Sequence, residues 1–109
     1  MTDIETSKAL ALTIGHDPTD VAIIGDVCIV DTYDRSRQKT KYGWVRGRIF
    51  DYRDPAVIFL IAERYNCFPS REYSFIRIEL YWKACKGGYV ATADTAAEAI
   101  ALAVIRGAK

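Results

Sequence analysis

The sequence is poor in the residue types that most catalytic and metal-binding sites require. It contains a single histidine, His16, and three widely spaced cysteines, Cys28, Cys67 and Cys85. No Cys-x-x-Cys or His-x-His spacing occurs, so the usual zinc sites are excluded. Any nucleophile activated by histidine would depend on His16, which lies in a predicted loop. The odd number of cysteines and their apolar neighbours are typical of reduced, mostly buried thiols in a cytoplasmic protein.

Strong net charge and long apolar runs are absent as well. The 15 basic and 14 acidic residues give a net charge of +1, so no global field attracts nucleic acid or membranes. The longest apolar run, residues 56–62, is much shorter than the about 20 residues of a membrane-spanning helix. Glycine-rich phosphate loops are also missing, because Gly87-Gly88 has the sequence context of a turn. We expect a cytoplasmic protein with no membrane partner and no cofactor.

The densest apolar stretch lies near the centre of the chain. A chain of 109 residues, half of them hydrophobic, is predicted to form a single globular domain, residues 1–109. Asp54-Pro55 is a helix-start signal, since Asp54 can accept free backbone N–H groups and Pro55 has none to lose. We therefore predict a helix over residues 56–68, although the Val-Ile-Phe-Leu-Ile run would also suit a strand.

The N-terminal segment carries the signals of a short helix. Thr2 and Glu5 have the spacing of a capping box, in which each side chain accepts the other's backbone N–H. Gly15 is suited to the left-handed conformation that commonly ends a helix. We predict a helix over residues 2–14.

A β-rich region follows this helix. A Gly-Asp pair at residues 25–26 separates two apolar runs, which predicts a hairpin with a two-residue turn; a single strand with a bulge at Gly25 is the alternative. Residues 34–41 are polar and are predicted to form a surface loop. Residues 42–50 regain strand composition, and their two glycines indicate bending or a close backbone approach.

The second half of the chain contains the clearest strand signal. Apolar and polar residues alternate over residues 73–85, which is the period of a half-buried strand. A Gly-Gly turn then returns residues 89–92 as a hairpin partner. A capping box that begins at Thr95 opens an alanine-rich helix over residues 96–106.

Together these elements predict an α+β fold. Their order is α-β-β-α-β-β-α, with room for one further hairpin early in the chain. Helices at both ends and in the middle, with hairpins between them, predict an antiparallel sheet of about four strands packed with helices.

Two stretches of the sequence resemble a family of phage proteins. Residues 50–55 leading into residues 61–65, and residues 92–96 leading into residues 99–103, are similar to small phage and prophage proteins of the ABA-sandwich type. In that family an antiparallel sheet lies between helical layers, and the second pattern typically opens the last helix. The resemblance covers roughly the second half of the chain. It implies an accessory phage protein that acts in a bacterial cytoplasm, and it carries over no functional residue.

The most suggestive functional feature is a basic segment that also contains aromatic residues, residues 33–53. Its cations would contact phosphates, and its aromatic side chains would stack on bases. Arg46 and Arg48 are expected on the same face of a strand. The competing interpretation is a solvated hairpin tip whose charges prevent aggregation at a sheet edge. The candidate anion or nucleic-acid site comprises Arg35, Arg37, Lys39, Lys41, Trp44, Arg46 and Arg48.

The long strand predicted over residues 73–85 offers a second candidate surface. Its odd-numbered positions would share one face, where aromatic and charged side chains mix as they do at protein interfaces. If a helix covers this face, the aromatic residues belong to the core instead. The candidate protein interface comprises Tyr73, Arg77, Glu79 and Tyr81.

Acidic residues suggest a third chemistry. Asp26, Asp31 and Asp34 lie along the first strand pair, and Asp51 and Asp54 flank the start of the central helix. Converging carboxylates could hold a divalent metal for a small nucleotide hydrolase acting through Asp31, Asp34 or Asp51. Asp54 and Asp26 already have structural roles as a cap and a turn residue, and no dense ligand motif is present, so we predict no metal site.

From these patterns and from the resemblance we expect a non-catalytic binding protein of phage origin. By analogy it would occupy or sequester a host component, as an anti-CRISPR-like counter-defence inhibitor or as a sponge for a nucleotide signal. Direct nucleic-acid binding through residues 33–53 is the alternative, and a metal-dependent nucleotide hydrolase is the third hypothesis. The expected partner is a host protein, nucleotide or nucleic acid. An exposed strand edge at residues 42–50 would also permit a homodimer.

Overall fold

The chain folds into helices and antiparallel sheets, as a computed structural model that describes residues 1–33 and 37–107 shows. The helices are α1 (Asp3–Thr13), α2 (Pro55–Arg64) and α3 (Ala96–Gly107). The strands are β1 (Val21–Ile24), β2 (Val27–Val30), β3 (Arg37–Thr40), β4 (Gly43–Arg46), β5 (Arg48–Ile49), β6 (Ser70–Ser74), β7 (Glu79–Lys86) and β8 (Tyr89–Ala93). Each strand pair is antiparallel, so the predicted α+β class with antiparallel pairing is confirmed.

The structure divides into two compact units, Met1–Asp51 and Tyr52–Lys109. The first unit contains α1 and β1–β5, and the second contains α2, β6–β8 and α3. The predicted order α-β-β-α-β-β-α allowed one further early hairpin, but its number of strands is still wrong, because the short strand β5 precedes α2 and a third strand follows it. In the described residues the strands form three sheets, ordered β1-β2-β5, β3-β4 and β6-β7-β8, rather than one sheet of four. The expectation that the whole chain is one domain stays a prediction.

In the first unit, the local signals of the N-terminal segment are confirmed. The Thr2 hydroxyl accepts the backbone N–H of Glu5 at 3.3 Å, and the Glu5 carboxylate accepts the backbone N–H of Thr2 at 3.1 Å. Helix α1 packs against β1 and β2. Leu10 of α1 and Ile29 of β2 are among its fully buried side chains, so they form the core of this unit.

The predicted turn at residues 25–26 is a true hairpin turn. The register pairs Ile24 with Val27, and Gly25 has a positive φ of 61°, so the alternative of one bulged strand is wrong. Strand β5 then pairs with β2 and completes a three-stranded sheet. Between β4 and β5 lies Gly47, which is buried with a φ of 100°, and a Cβ there would collide with the carbonyl oxygen of Val30. The close backbone approach expected from the glycines of residues 42–50 is therefore found at this position.

Residues 37–40 correct the sequence analysis, which assigned residues 34–41 to a loop. They form strand β3, which pairs with β4. Residues 34–36 lie outside the described residues. The polar composition was misleading because this strand belongs to a two-stranded ribbon whose residues need not alternate with buried apolar ones.

In the second unit, the central segment is a helix, as predicted. Asp54 caps it by accepting the backbone N–H of Ala56 at 3.0 Å, and Pro55 occupies the first turn. Helix α2 ends at Arg64 rather than at residue 68, because Asn66 adopts a positive φ of 50°. The alternative that this segment is a strand is wrong.

The prediction of a single strand over residues 73–85 is also wrong. The chain turns at residues 75–78 between β6 and β7, and these two strands pair with each other. Ser74 stabilises the turn by accepting the backbone N–H of Arg77 at 3.1 Å, while Ile78 adopts a positive φ of 53°. The alternation of apolar and polar residues continues through the turn, so periodicity alone could not reveal it.

The last hairpin and helix follow the sequence prediction. Strands β7 and β8 meet at the Gly-Gly turn, and α3 packs on both of them. Thr95 caps α3 by accepting the backbone N–H of Glu98 at 3.2 Å. Ala84 and Ala91 lie opposite each other in register and are buried, which allows an alanine-rich helix to approach the sheet closely. Within the described ranges, none of the helices has the length and apolar character needed to cross a bilayer.

Candidate anion-binding surface

The β3–β4 hairpin brings four of the predicted site residues onto one face. In its register Arg37 lies opposite Arg46, and Lys39 lies opposite Trp44. Residues that face each other across an antiparallel pair project from the same side, and so do residues two apart along a strand. We refer to Arg37, Lys39, Trp44 and Arg46 together as the cationic face.

The cationic face points to solvent because the other side of the hairpin points to the protein. On that other side, the Gln38 side chain accepts the backbone N–H of Ile49 at 2.8 Å, and Val45 is half-buried. The four side chains of the cationic face are all exposed, and Trp44 keeps 67% of its surface open to solvent. Exposure alone does not distinguish Trp44, because several other large apolar side chains are equally open to solvent; its distinction is that it lies opposite Lys39 and two residues from Arg46.

Local hydrogen bonds close the turn of this hairpin. The Thr40 hydroxyl donates to the carbonyl of Gly43 at 2.9 Å and accepts the backbone N–H of Tyr42 at 3.1 Å. Gly43 has a φ of 104°, a conformation that glycine adopts readily, and it pairs with Thr40 at the end of the two-residue turn. The turn therefore fixes the register that aligns the two arginines.

Lys41, in this turn, is bound to the first sheet rather than free for a ligand. Its ammonium lies 2.7 Å from Asp26 Oδ2, and the Tyr42 hydroxyl donates to Asp26 Oδ1 at 3.2 Å. The hydrogen bond from Lys41 lowers the pKa of Asp26, and the same bond raises the pKa of Lys41. Asp26 thus anchors the tip of the β3–β4 hairpin to the β1–β2 turn.

Arg48 is also paired. Its guanidinium contacts Asp31 Oδ2 with two nitrogens, one of which, Nε, lies at 2.9 Å. Asp31 has a positive φ of 55°, and its other oxygen lies 3.5 Å from His16 Nδ1. The prediction that Arg46 and Arg48 share a strand face is wrong, because Gly47 separates them into two different sheets.

The predicted site therefore separates into two groups. Arg35 lies outside the described residues, and Lys41 and Arg48 are neutralised by carboxylates. Arg37, Lys39 and Arg46 form no ion pair with any carboxylate among residues 1–33 and 37–107. Within the described residues, three positive charges thus surround one exposed indole without a carboxylate partner.

The second predicted surface is only partly assembled. Tyr73 lies opposite Leu80 and Tyr81 lies opposite Glu72, so the two tyrosines project from opposite faces of the sheet. The turn at residues 75–78 causes this reversal. Arg77 and Glu79 are paired at 3.4 Å and, together with Tyr81, line a shallow cavity of about 230 Å³.

The sequence analysis missed the most exposed apolar group of the second unit, the turn of residues 75–78, which we call the apolar turn. Phe75, Ile76 and Ile78 expose 87%, 95% and 76% of their surface. The Tyr73 and Phe75 rings meet edge to face with centroids 5.0 Å apart, so the turn is internally packed. No glycine, proline or asparagine marks it, and Ser74, which accepts the backbone N–H of Arg77, is a weak turn signal by itself.

Two of the predicted acidic residues are ion-paired and two of the three thiols are buried, whereas Cys85 is exposed. Asp26 and Asp31 hold cations, and no group of three His, Cys, Asp or Glu side chains suited to a metal occurs within residues 1–33 and 37–107. Burial raises the pKa values of Cys28 and Cys67, which disfavours their nucleophilic thiolate forms. These contacts give the hydrolase hypothesis no support.

Comparisons of the chain with models of protein families, with curated proteins and with solved structures gave no match. The resemblance to phage ABA-sandwich proteins therefore stays a prediction.

Proposed function

We propose that the chain is a non-catalytic binding protein that holds the phosphate groups of nucleic acid on the cationic face. The observation that carries this proposal is the direct opposition of Arg37 and Arg46, beside Lys39, with no carboxylate partner in the described residues. Opposed like charges destabilise a strand pair. A bound polyanion would remove that repulsion and release counterions.

The two paired cations support the proposal by contrast. Lys41 and Arg48 lie in the same segment, yet each contacts an aspartate that fixes the hairpin to the first sheet. Lys41 and Arg48 thus stabilise the fold, whereas the cations of the cationic face form no ion pair within the described residues. A net charge of +1 over the chain means that attraction must come from this local group.

The test is the binding of a fluorescein-labelled oligodeoxythymidylate of about twelve nucleotides, measured by anisotropy over a range of salt concentrations. Each phosphate contact on a single strand contributes about 0.7 to the salt exponent. The Arg37→Ala/Arg46→Ala variant is expected to bind about 25-fold more weakly at about 0.1 M salt.

The matched control is the Arg71→Ala/Arg77→Ala variant, which removes two arginines from the β6–β7 hairpin. Arg71 lies over the Trp82 ring, and Arg77 is paired with Glu79, so this variant should keep its affinity. Circular dichroism checks that both variants fold. Equal loss in both variants, or no binding by the parent chain, would refute the proposal.

A second candidate function is the occupation of a host protein, as in the counter-defence hypothesis. The apolar turn favours it, because neighbouring exposed apolar side chains, rather than single ones, mark interaction sites on folded proteins. This function would require the turn itself rather than the four residues predicted from the sequence, since Tyr73 and Tyr81 face opposite ways.

Its test is a pull-down from bacterial lysate with three baits: the parent chain, Phe75→Ser/Ile76→Ser and Arg37→Ala/Arg46→Ala. A stoichiometric protein that is lost only with the turn variant would support protein occupation. A partner lost only with the arginine variant would transfer the interaction to the cationic face and contradict this second function.

A further inference from the structure

Trp44 is the one aromatic side chain on the cationic face, and its environment indicates what kind of nucleic acid would bind. It lies opposite Lys39 and two residues from Arg46 on the same strand. Its ring is 67% exposed, and no ring or cation contact covers it in the part of the chain that the structure describes. A flat apolar surface is thus held among three cations.

Trp82 is an indole whose ring is covered by a side chain of the same chain. Trp82 is half-buried in β7, and the Arg71 guanidinium lies over its ring at 5.3 Å. This cation–π contact uses both the charge of the arginine and the face of the ring. At Trp44 neither the ring nor its neighbouring cations are used in this way.

A duplex would leave the Trp44 ring without a partner. Bases in a double helix are stacked on each other and present only their edges in the grooves. Edge recognition depends on arginine, lysine, asparagine and glutamine side chains, whereas an indole offers a single N–H donor. Bases of a single strand are free to unstack and cover an aromatic ring.

The dimensions of the cationic face agree with a short single strand. Neighbouring residues on the face are separated by about 5 Å across the hairpin. They are separated by about 6.8 Å along each strand, since a strand rises about 3.4 Å per residue. Cations therefore flank the indole on two sides, so a backbone phosphate can meet a cation while its own base lies on the ring.

We infer that the ligand of the cationic face is single-stranded nucleic acid with one unpaired base stacked on Trp44. This inference rests on the proposed function, because the cations must first bind phosphate. Trp44 supplies the preference for an unpaired strand, and Arg37, Lys39 and Arg46 supply attraction that is independent of sequence.

The experiment compares three probes of equal length: oligodeoxythymidylate, an abasic oligonucleotide with the same phosphates, and a duplex. We expect the thymidylate strand to bind about 5-fold to 150-fold more tightly than the abasic strand, which is the range for stacking of one base. Trp44→Ala should remove that difference, and Trp44→Phe should keep much of it.

Intrinsic fluorescence gives a second readout. In a Trp82→Phe background the remaining tryptophan emission comes from Trp44, and stacking should quench it on addition of the thymidylate strand but not of the abasic strand. Equal binding of these two probes, or tighter binding of the duplex, would overturn the single-strand inference and leave phosphate binding intact. Failure of all three probes to bind would overturn both proposals.

Discussion

The β3–β4 and β6–β7 hairpins contain similar residues, but the first exposes cations and the second exposes apolar side chains. Each combines arginines with an indole: Arg37 and Arg46 with Trp44 in the first, Arg71 and Arg77 with Trp82 in the second. In β6–β7 each arginine has an internal partner, and the exposed group is an apolar turn. In β3–β4 the arginines face each other and the indole is open.

The difference shows that pairing, rather than composition, determines which arginines are available to a ligand. Arg77 and Glu79 are two residues apart, so a local contact neutralises the charge. Arg37 and Arg46 are brought together by strand register, with no acidic residue opposite either of them. A surface that keeps such a repulsive pair has stability to gain from an anion.

The largest effect is expected where β3–β4 connects to the first sheet, at Gly47. A Cβ at Gly47 would strike the Val30 carbonyl oxygen, in addition to the strain of its positive φ. Gly47→Ala should therefore lower the free energy of unfolding by roughly 4 kcal/mol in denaturant titrations. Gly43 has a similar φ but open space around it, so Gly43→Ala should cost only roughly 1–2 kcal/mol. Equal losses would show that the contact with Val30 is unimportant.

Arg46→Glu should give the β3–β4 hairpin an internal ion pair, like the one between Arg77 and Glu79 in the β6–β7 hairpin. It places a carboxylate opposite Arg37, so we expect the free energy of unfolding to rise by about 0.5 kcal/mol. Oligonucleotide affinity should fall about 25-fold at about 0.1 M salt, because the charge changes by two units. The control Arg46→Gln should lose about 5-fold in affinity without forming an ion pair. A glutamate variant that is both less stable and still binds would contradict the proposed role of the unpaired arginines.

Ile78→Gly tests backbone strain in the second hairpin. Ile78 has a positive φ, which is costly for a β-branched residue, and its side chain is largely exposed. Relief of this strain should outweigh the flexibility of glycine and raise the free energy of unfolding by roughly 0.5 kcal/mol. Ile76 is even more exposed and has no positive φ, so Ile76→Gly should lower the free energy of unfolding by roughly 0.5–1 kcal/mol, as measured by thermal unfolding. The same sign for both variants would argue against strain at Ile78.

The smallest effect concerns the anchor between Asp26 and Lys41, which has no counterpart in β6–β7. The hydrogen bond from Lys41 lowers the pKa of Asp26 in the folded state. The anchor therefore contributes fully above the ordinary aspartate pKa and is lost as pH falls through the lowered value. NMR signals of the Tyr42 ring should shift over that acidic range, and Asp26→Asn should abolish the shift. Asp17→Asn serves as control, since the pKa of Asp17 is lowered by Thr19 instead; a lost Tyr42 shift in that variant would disprove the assignment.

The sequence predicted those elements whose signals are local. The caps at Thr2, Asp54 and Thr95 each involve groups within three residues, and all three helices begin where these caps predict. The turn at Gly25 requires a positive φ that glycine readily adopts, so it was also visible. The strand over residues 73–85 was mispredicted because the apolar turn keeps the alternation of a strand while reversing the chain.

The candidate site could be predicted only as a set of residues. The sequence identified the cations of residues 33–53 but could not separate Arg46 from Arg48, because the aspartate that neutralises Arg48 lies 17 residues away. It also placed Arg37 in a loop, since a polar two-stranded ribbon carries no hydrophobic period.

By itself, then, the sequence determined the α+β class, the three helices and the region where cations and aromatic residues concentrate, since these depend on neighbours along the chain. Tertiary structure alone decided which cations have a carboxylate partner within the described residues, because charge pairing depends on distances across strands and between turns. The opposition of Arg37 and Arg46 and the open face of Trp44 follow from the register of β3–β4, a property that exists only once the chain has folded.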